Sequence, residues 1–241
     1  MTYRFQSPAV FLIGPTASGK TDTAIKLAEK YPFEIISVDS AMVFKDMNIG
    51  TCKPSNKDLK RIPHHLIDII KPDTKFDVGL FVNYVELAVK KINKNNKIPL
   101  FVGGTMMFHK VLFDGIHDFP RDENLREEIN LVKKNQGYEL SLDELKQLDP
   151  ESFQLIDIKN PRRVERALEI IKLTKTKLSL LKHEPSNKFF DSQKCLILGM
   201  NDSKKELDIA AERRLKNIIK EGFLNELEKL INTYKLTSES H

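Results

Sequence analysis

A loop able to grip phosphate stands near the start of the chain. Gly14-Pro15-Thr16-Ala17-Ser18-Gly19-Lys20-Thr21 matches G-x-x-x-x-G-K-[ST]. The residue types suit the task. Successive backbone N–H groups of a glycine loop, backed by a helix N-terminus, form an anion cradle. Lys20 adds a point charge, and the Thr21 hydroxyl is a ligand for Mg²⁺. The motif needs a strand before it and a helix after it. The apolar run Ala9-Val10-Phe11-Leu12-Ile13 and the helical spacing from Lys20 to Lys30 supply both. The loop is specific for phosphate, silent about which phosphate, and taken alone would suggest ATP. Phosphoryl-transfer enzymes of this type usually carry an acidic Mg²⁺ residue at the end of a later apolar strand. Here that strand, 98–102, runs into Gly103-Gly104-Thr105. Asp68, inside another strand-like run, is a substitute, with a local hydrogen bond as its other reading. The pattern weighs against phosphoryl transfer.

The elements that must position this loop alternate. Apolar runs at 9–13, 34–38, 66–70 and 98–102 read as buried parallel strands, and 20–30 and 77–92 have helical periodicity. In 77–92 the apolar stripe is Phe81, Tyr84, Val85, Ala88 and Ile92; in 20–30 it is Ala24, Leu27 and Ala28. Such alternation predicts an α/β fold, a P-loop NTPase-like parallel sheet flanked by helices. From about residue 115 to 182 strand-like runs give way to amphipathic segments at 123–135, 141–148, 161–173 and 176–181. A strand at 195–199 and helices at 204–220 and 223–233 follow. The expected organisation is a P-loop core over 1–115, an all-helical insert over 116–189 and a return to the core over 190–241.

Composition narrows the class. The 241 residues, 40% hydrophobic and 30% charged, suffice for one sizeable core or a core with a smaller insert. No run approaches the roughly 18 apolar residues of a membrane span, and the N-terminus lacks a signal peptide's pattern. Cys52 and Cys195 are far apart and neither sits in a CxxC pair, which argues against a disulfide framework or zinc site and fits a reducing cytoplasm. The net charge of +5 is compatible with a polyanion such as RNA without requiring one. His64 and His65 are adjacent, so on a strand they point to opposite faces; that favours packing over metal binding. Met106-Met107-Phe108 reads as core.

A series of segments in order resembles the tRNA dimethylallyltransferases. It comprises Gly14–Thr21, Ile36-Ser-Val-Asp-Ser40, Met47-Asn-Ile-Gly-Thr51 with Lys53-Pro54, and Pro63-His64-His65-Leu66-Ile67-Asp68. Pro99-Leu-Phe-Val-Gly-Gly-Thr105, Asn160-Pro-Arg-Arg-Val-Glu-Arg-Ala-Leu-Glu169, and Arg214 ahead of Glu221-Gly222-Phe223 complete it. The resemblance implies transfer of a dimethylallyl group from dimethylallyl diphosphate to N6 of adenosine 37 in tRNAs reading UNN codons. Diphosphate is released with Mg²⁺ as cofactor, by a cytoplasmic monomer that grips the anticodon stem-loop and no membrane. Residues Gly14, Pro15, Thr16, Ala17, Ser18, Gly19, Lys20 and Thr21 would hold the diphosphate, with Thr21 on the metal.

The chemistry explains the other residue types. The adenine N6 amine is a poor nucleophile, so a carboxylate must accept its proton. Asp39 lies at a strand's carboxyl end beside the loop, where α/β folds bind ligands. It reads as that base, or as a helix cap or Mg²⁺ ligand; the resemblance implies the base. Charge developing on the leaving group needs cations. Lys20 fits, and the resemblance implies Arg214 with Arg213 as a one-residue alternative; a solvated helix face is the other reading of either arginine. The Thr105 hydroxyl would bond the target base, which must leave its stack, or would cap the following helix. The resemblance places tRNA contacts at Asp39, Ser40, Ala41, Met42 and Thr105, and at Arg126, Arg162, Arg163, Val164, Glu165 and Arg166 of the insert. Arginines spaced three or four apart share a helix face suited to RNA; ion pairs with Glu165 and Glu169 are the other reading.

The chain departs from the family pattern in two places. After Gly-Gly-Thr it carries Met107-Phe108 where the family usually has Leu-Tyr, which keeps a ring and loses a hydroxyl. The family also continues past a point equivalent to His241 into a Gly-Tyr-Arg/Gln segment and further helices that help hold tRNA. Two rivals follow: an isopentenyltransferase acting on free adenine nucleotide, which needs no arginine-bearing insert, and a non-catalytic tRNA-binding protein.

Overall fold

The computed structural model describes residues 3–117, 119–181 and 188–237. The chain divides into two compact units, Met1–Gly115 with Lys188–His241, and Ile116–Asn187. The first unit begins with β1 (Ala9–Ile13), α1 (Lys20–Lys30), β2 (Phe33–Ser37), α2 (Asn56–Arg61), β3 (His64–His65), α3 (Val78–Lys94), β4 (Ile98–Gly103) and α4 (Met106–Asp114). The second contains α5 (Glu123–Gln136), α6 (Tyr138–Leu148), α7 (Pro150–Leu155), α8 (Pro161–Thr174) and α9 (Leu178–Leu181). The chain then returns to the first unit through a short 3₁₀ turn, β5 (Cys195–Gly199), α10 (Lys204–Lys220) and α11 (Phe223–Tyr234). No helix among the described residues is long and apolar enough to cross a membrane.

The sheet runs β3-β2-β4-β1-β5 with every pairing parallel. It is a P-loop NTPase-like arrangement, as the alternation of elements predicts. Central strands are apolar on both faces because helices cover both. On one face Val10, Leu12, Ile35, Leu100 and Val102 pack with Ala24 and Ile25 of α1. On the other, Phe11 stacks on Phe101 across the β1–β4 register at 4.6 Å, and Phe81 of α3 stacks on Phe108 of α4 at 4.1 Å. Asp77 caps α3 through the Leu80 N–H (2.9 Å), and Ser203 and Glu206 form a capping box at α10.

Three local expectations change. The run 66–70 is not a strand: β3 is confined to His64–His65, because Leu66 (φ 63°) and Asp68 (φ 54°) are left-handed and break the extended backbone. Met106 and Met107 are more than half exposed and only Phe108 is core, since the three open a helix and lie on different faces of it. The helices α2 and α7 fall in short polar stretches with no long apolar stripe to signal them.

The second unit buries Leu145, Val164, Ala167, Leu168, Ile170 and Ile171 together. Asp149, fully buried, caps α7 at Ser152 N (3.1 Å) and accepts from Ser179 N (2.8 Å) and Ser179 Oγ (2.9 Å). Burial alone would raise its pKa, but these bonds outweigh it and hold the carboxyl below its usual range.

A close approach at the end of β4 decides where the site forms. A Cβ on Gly103 would lie 2.1 Å from the Val38 carbonyl oxygen, so only glycine lets the ends of β2 and β4 meet. Val38 N donates to Val102 O (2.8 Å) and Thr105 N to Val38 O (3.4 Å) across that junction. Because the obstacle is backbone, Gly103→Ala should cost about 3 kcal/mol or more. The thermal midpoint should then fall by roughly 6–12 °C, measurable by circular dichroism.

Candidate active site

The loop between β1 and α1 turns on two left-handed residues, Ala17 (φ 66°) and Gly19 (φ 75°). Alternating handedness of this kind turns successive N–H groups toward one side. Ser18 N and Oγ both bond the Pro15 carbonyl (3.4 and 2.9 Å), which closes the loop on itself. Gly19 caps α1 with no side-chain bond, so the first helical N–H groups stay available to an anion. The Lys20 ammonium folds over the loop, donating to Pro15 O and, at 3.4 Å, to Ser18 Oγ. Gly104 lies against this loop: a Cβ there would be 3.0 Å from Gly14 O and 3.9 Å from Lys20 Nζ.

Asp39 follows Val38 at the same junction. Its Oδ1 accepts from Ala41 N (2.7 Å) and Met42 N (3.1 Å), which fixes the carboxylate and the turn through Ser40. Among the described residues nothing donates to Oδ2. Thr105 occupies the cap position of α4, yet its hydroxyl makes no capping bond. Of the two readings of Thr105, the cap is not the one its side chain adopts.

Arg214 reaches in from α10. Its Nε–H donates to Cys52 Sγ (2.9 Å) and its NH2 group to Thr51 O (3.3 Å). Arg213 is exposed, whereas Arg214 is half-buried; both border the cavity. Burial depresses the Lys20 pKa, the Arg214 charge depresses it further, and Asp39 pulls against both. Two cations and one carboxylate therefore share a single field.

These groups line one cavity of about 850 Å³, bounded by the phosphate loop, Asp39, Met42, Thr105 and Arg214. Thr21 borders it as well, as do Asn48, Ile49, Cys52, Lys53, His64 and Asp68. His64 also contacts the Ile62 carbonyl through Nδ1 (2.8 Å), and burial lowers its pKa. His65 contacts the buried Glu34 at 2.7 Å, so the pair splits as expected for neighbours on a strand. Asp68 bonds the Lys53 ammonium at 2.6 Å, its local reading. No cluster of three or more His, Cys, Asp or Glu side chains suited to a metal occurs among the described residues. The residue that would suit Mg²⁺ here is Thr21, whose hydroxyl lies beside the glycine loop; phosphate oxygens and water would have to supply most of the other ligands.

The insert arginines divide sharply. Glu169, 1% exposed, accepts from Arg126 Nε (3.0 Å), Arg166 NH1 (2.7 Å) and Asp122 N (2.9 Å). Arg166 also donates to the carbonyls of Phe119 (3.0 Å) and Pro120 (2.8 Å). Arg126 and Arg166 are thus held by the fold of their own unit. Arg163 pairs loosely with Asp157 (3.6 Å), Glu165 binds Lys133, and Arg162 is exposed. Val164 is fully buried, and on the helix it faces the core of its unit, away from Arg162. The sequence reading missed the roles of Lys53, Cys52 and Glu226. Lys53 and Cys52 stood inside a recognised segment, while nothing local marked Glu226.

The fold is of P-loop type, with a cavity at the carboxyl edge of its sheet where Lys20 and Arg214 stand beside the glycine loop and Asp39. A family profile described as IPP transferase matches residues 42–241, and one described as isopentenyl transferase matches 8–71. A tRNA dimethylallyltransferase of Psychrobacter sp. (strain PRwf-1) is 38% identical over 95% of this chain and 64% of its own length. The corresponding protein of Neisseria meningitidis is 38% identical over 97% and 76%. Among solved structures, tRNA delta(2)-isopentenylpyrophosphate transferase of Staphylococcus epidermidis superposes with a TM-score of 0.63 at 29% identity, covering 97% of this chain and 76% of that one. A eukaryotic dimethylallyltransferase described as acting on tRNA gives 0.81 at 26% identity, covering 95% and 57%. The chain belongs to the IPP transferase family. It spans just under two thirds of the length of the Psychrobacter relative.

The Glu169 clamp makes a pH prediction. Burial alone would raise its pKa, but the Asp122 amide, Arg166 and Arg126 outweigh it and hold the carboxyl below its usual range. A depressed folded value means stabilisation present above the unfolded carboxylate pKa of about 4.3 and lost as pH falls through the lower folded value. Asp149 acts in the same direction. Urea melts should show stability declining below roughly pH 4.5. Glu169→Gln should cost about 2–4 kcal/mol at pH 7 and flatten that decline.

Proposed function

We propose that the chain transfers a dimethylallyl group from dimethylallyl diphosphate to N6 of adenosine 37 in tRNAs reading UNN codons, releasing diphosphate. The observation that carries this reading is the shared cavity. The glycine loop, Lys20 and Arg214 face the same space as a carboxylate with one unengaged oxygen.

The diphosphate rests on the N–H groups of Gly14 to Thr21, with Lys20 and Arg214 taking up the charge that develops as the allylic carbon–oxygen bond breaks. Thr21 would hold Mg²⁺, which neutralises diphosphate charge when bound. The adenine N6 lone pair forms the new carbon–nitrogen bond, and the N6 proton passes to Asp39 Oδ2. Oδ1, tied to two backbone amides, keeps the carboxylate aimed. The Thr105 hydroxyl, unspent on capping, orients the flipped base. Ser40, Ala41 and Met42 contact the tRNA beside the base. Arg162 and Arg163, with Arg126, Glu165 and Arg166 around the Glu169 clamp, form the anticodon-loop surface of the insert. A reducing cytoplasm suits both the substrate and the two free cysteines.

Incubation with dimethylallyl diphosphate, Mg²⁺ and an A36-A37-A38 tRNA, followed by nucleoside mass spectrometry, should yield N6-dimethylallyladenosine. Absence of product, or product from AMP and not from tRNA, would reject the reading. Asp39→Ala should lower turnover by about a hundredfold or more while pyrophosphate affinity stays near wild type; full activity in that variant would remove Asp39 from the role of base.

A further inference from the structure

Segment 46–53 forms a wall of the cavity through Asn48, Ile49, Cys52 and Lys53, and has little regular structure of its own. It is held instead by distant residues. The Glu226 carboxylate, on α11, accepts from three successive backbone N–H groups: Asn48 (2.9 Å), Ile49 (2.8 and 3.1 Å) and Gly50 (3.1 Å). The Phe223 ring, one turn earlier, lies so close that a Cβ on Gly50 would be 2.5 Å from it. Tyr234 O–H, near the end of α11, donates to Asp46 Oδ2. From the inner side the Lys53 ammonium, 3% exposed, binds Phe44 O, Asn48 Oδ1 (3.3 Å) and Asp68 Oδ1 (2.6 Å). Immediately after the amides held by Glu226 come Thr51 and Cys52, the two residues that Arg214 grips.

Three consecutive N–H groups converging on one point make an anion cradle, and here the anion is the protein's own carboxylate. We propose that Glu226 is a positioning residue for the phosphate site. By occupying the cradle of Asn48–Gly50 it sets the path of Thr51 and Cys52, and through them the stance of Arg214 beside Lys20. Glu226 itself touches no phosphate. The identity of the ligand rests on the function proposed above; the mechanical link does not.

The test compares wild-type protein, Glu226→Ala and Glu226→Gln. Pyrophosphate with Mg²⁺ is titrated by calorimetry, and hydrogen exchange is followed at the amides of 46–52. Glu226→Ala should lose protection at residues 48–50 and bind pyrophosphate about tenfold more weakly, with Glu226→Gln between the two. Added acetate, able to enter the emptied cradle, should restore part of the affinity in Glu226→Ala and change nothing in wild type. General destabilisation would not respond to acetate. Affinity in Glu226→Ala within about twofold of wild type, or a loss that acetate leaves unmoved, overturns the proposal. If wild-type protein bound no pyrophosphate, the proposed function would fall and exchange alone would decide. Lost protection that extends from 48–50 to the Cys52 amide, which donates to Ile49 O, then upholds the link, and unchanged protection at Cys52 ends it.

Discussion

The contact between Gly103 and the Val38 carbonyl is the constraint on which the rest of the site depends. Any side chain at residue 103 would collide with backbone, so the ends of β2 and β4 meet only because none is there. That meeting places Asp39 two residues past β2 and Thr105 two residues past β4 in a single crevice. Gly104 then presses against Gly14 O and brings in the phosphate loop. Three segments far apart in sequence thus converge on backbone contacts rather than on side-chain packing, which leaves their polar groups free for a ligand.

Charge in the crevice is arranged to the same end. Lys20 is partly desolvated and feels a second cation, Arg214, which α10 delivers from far along the chain. Two cations brought together repel, and Asp39 offsets only part of that repulsion. An anion placed beside both cations would relieve it. Oδ1 of Asp39 is committed to the backbone and Oδ2 is not, so one oxygen fixes the carboxylate while the other stays open to the crevice.

Carboxylates also organise other parts of the fold. Glu169 draws two arginines and an amide together within the helical unit, and Asp149 joins α7 to the start of α9. Each has its acceptor sites filled, which makes a buried charge tolerable. Glu226 does the same for three amides of segment 46–53. In all three cases the carboxylate replaces regular hydrogen bonding that the local backbone lacks.

The sequence by itself determined the parallel α/β plan, because buried strands and amphipathic helices leave distinct apolar periods. It also marked the loop Gly14–Thr21, Asp39, Thr105 and Arg214, whose residue types are fixed by local chemistry or stand within a recognised motif. Short elements without an apolar stripe, such as α2, α7 and the two-residue β3, left no such trace. Arg126 and Arg166 looked alike from sequence to Arg162 and Arg163, and only packing around Glu169 separates the held from the exposed. Val164 belongs to the core because its helix turns that face inward. The phosphate loop was legible as a cradle from eight residues in a row. That its lysine would share a field with Arg214, and that Glu226 would hold the wall between them, was decided by tertiary structure alone, since long-range contacts impose no spacing on the chain that makes them.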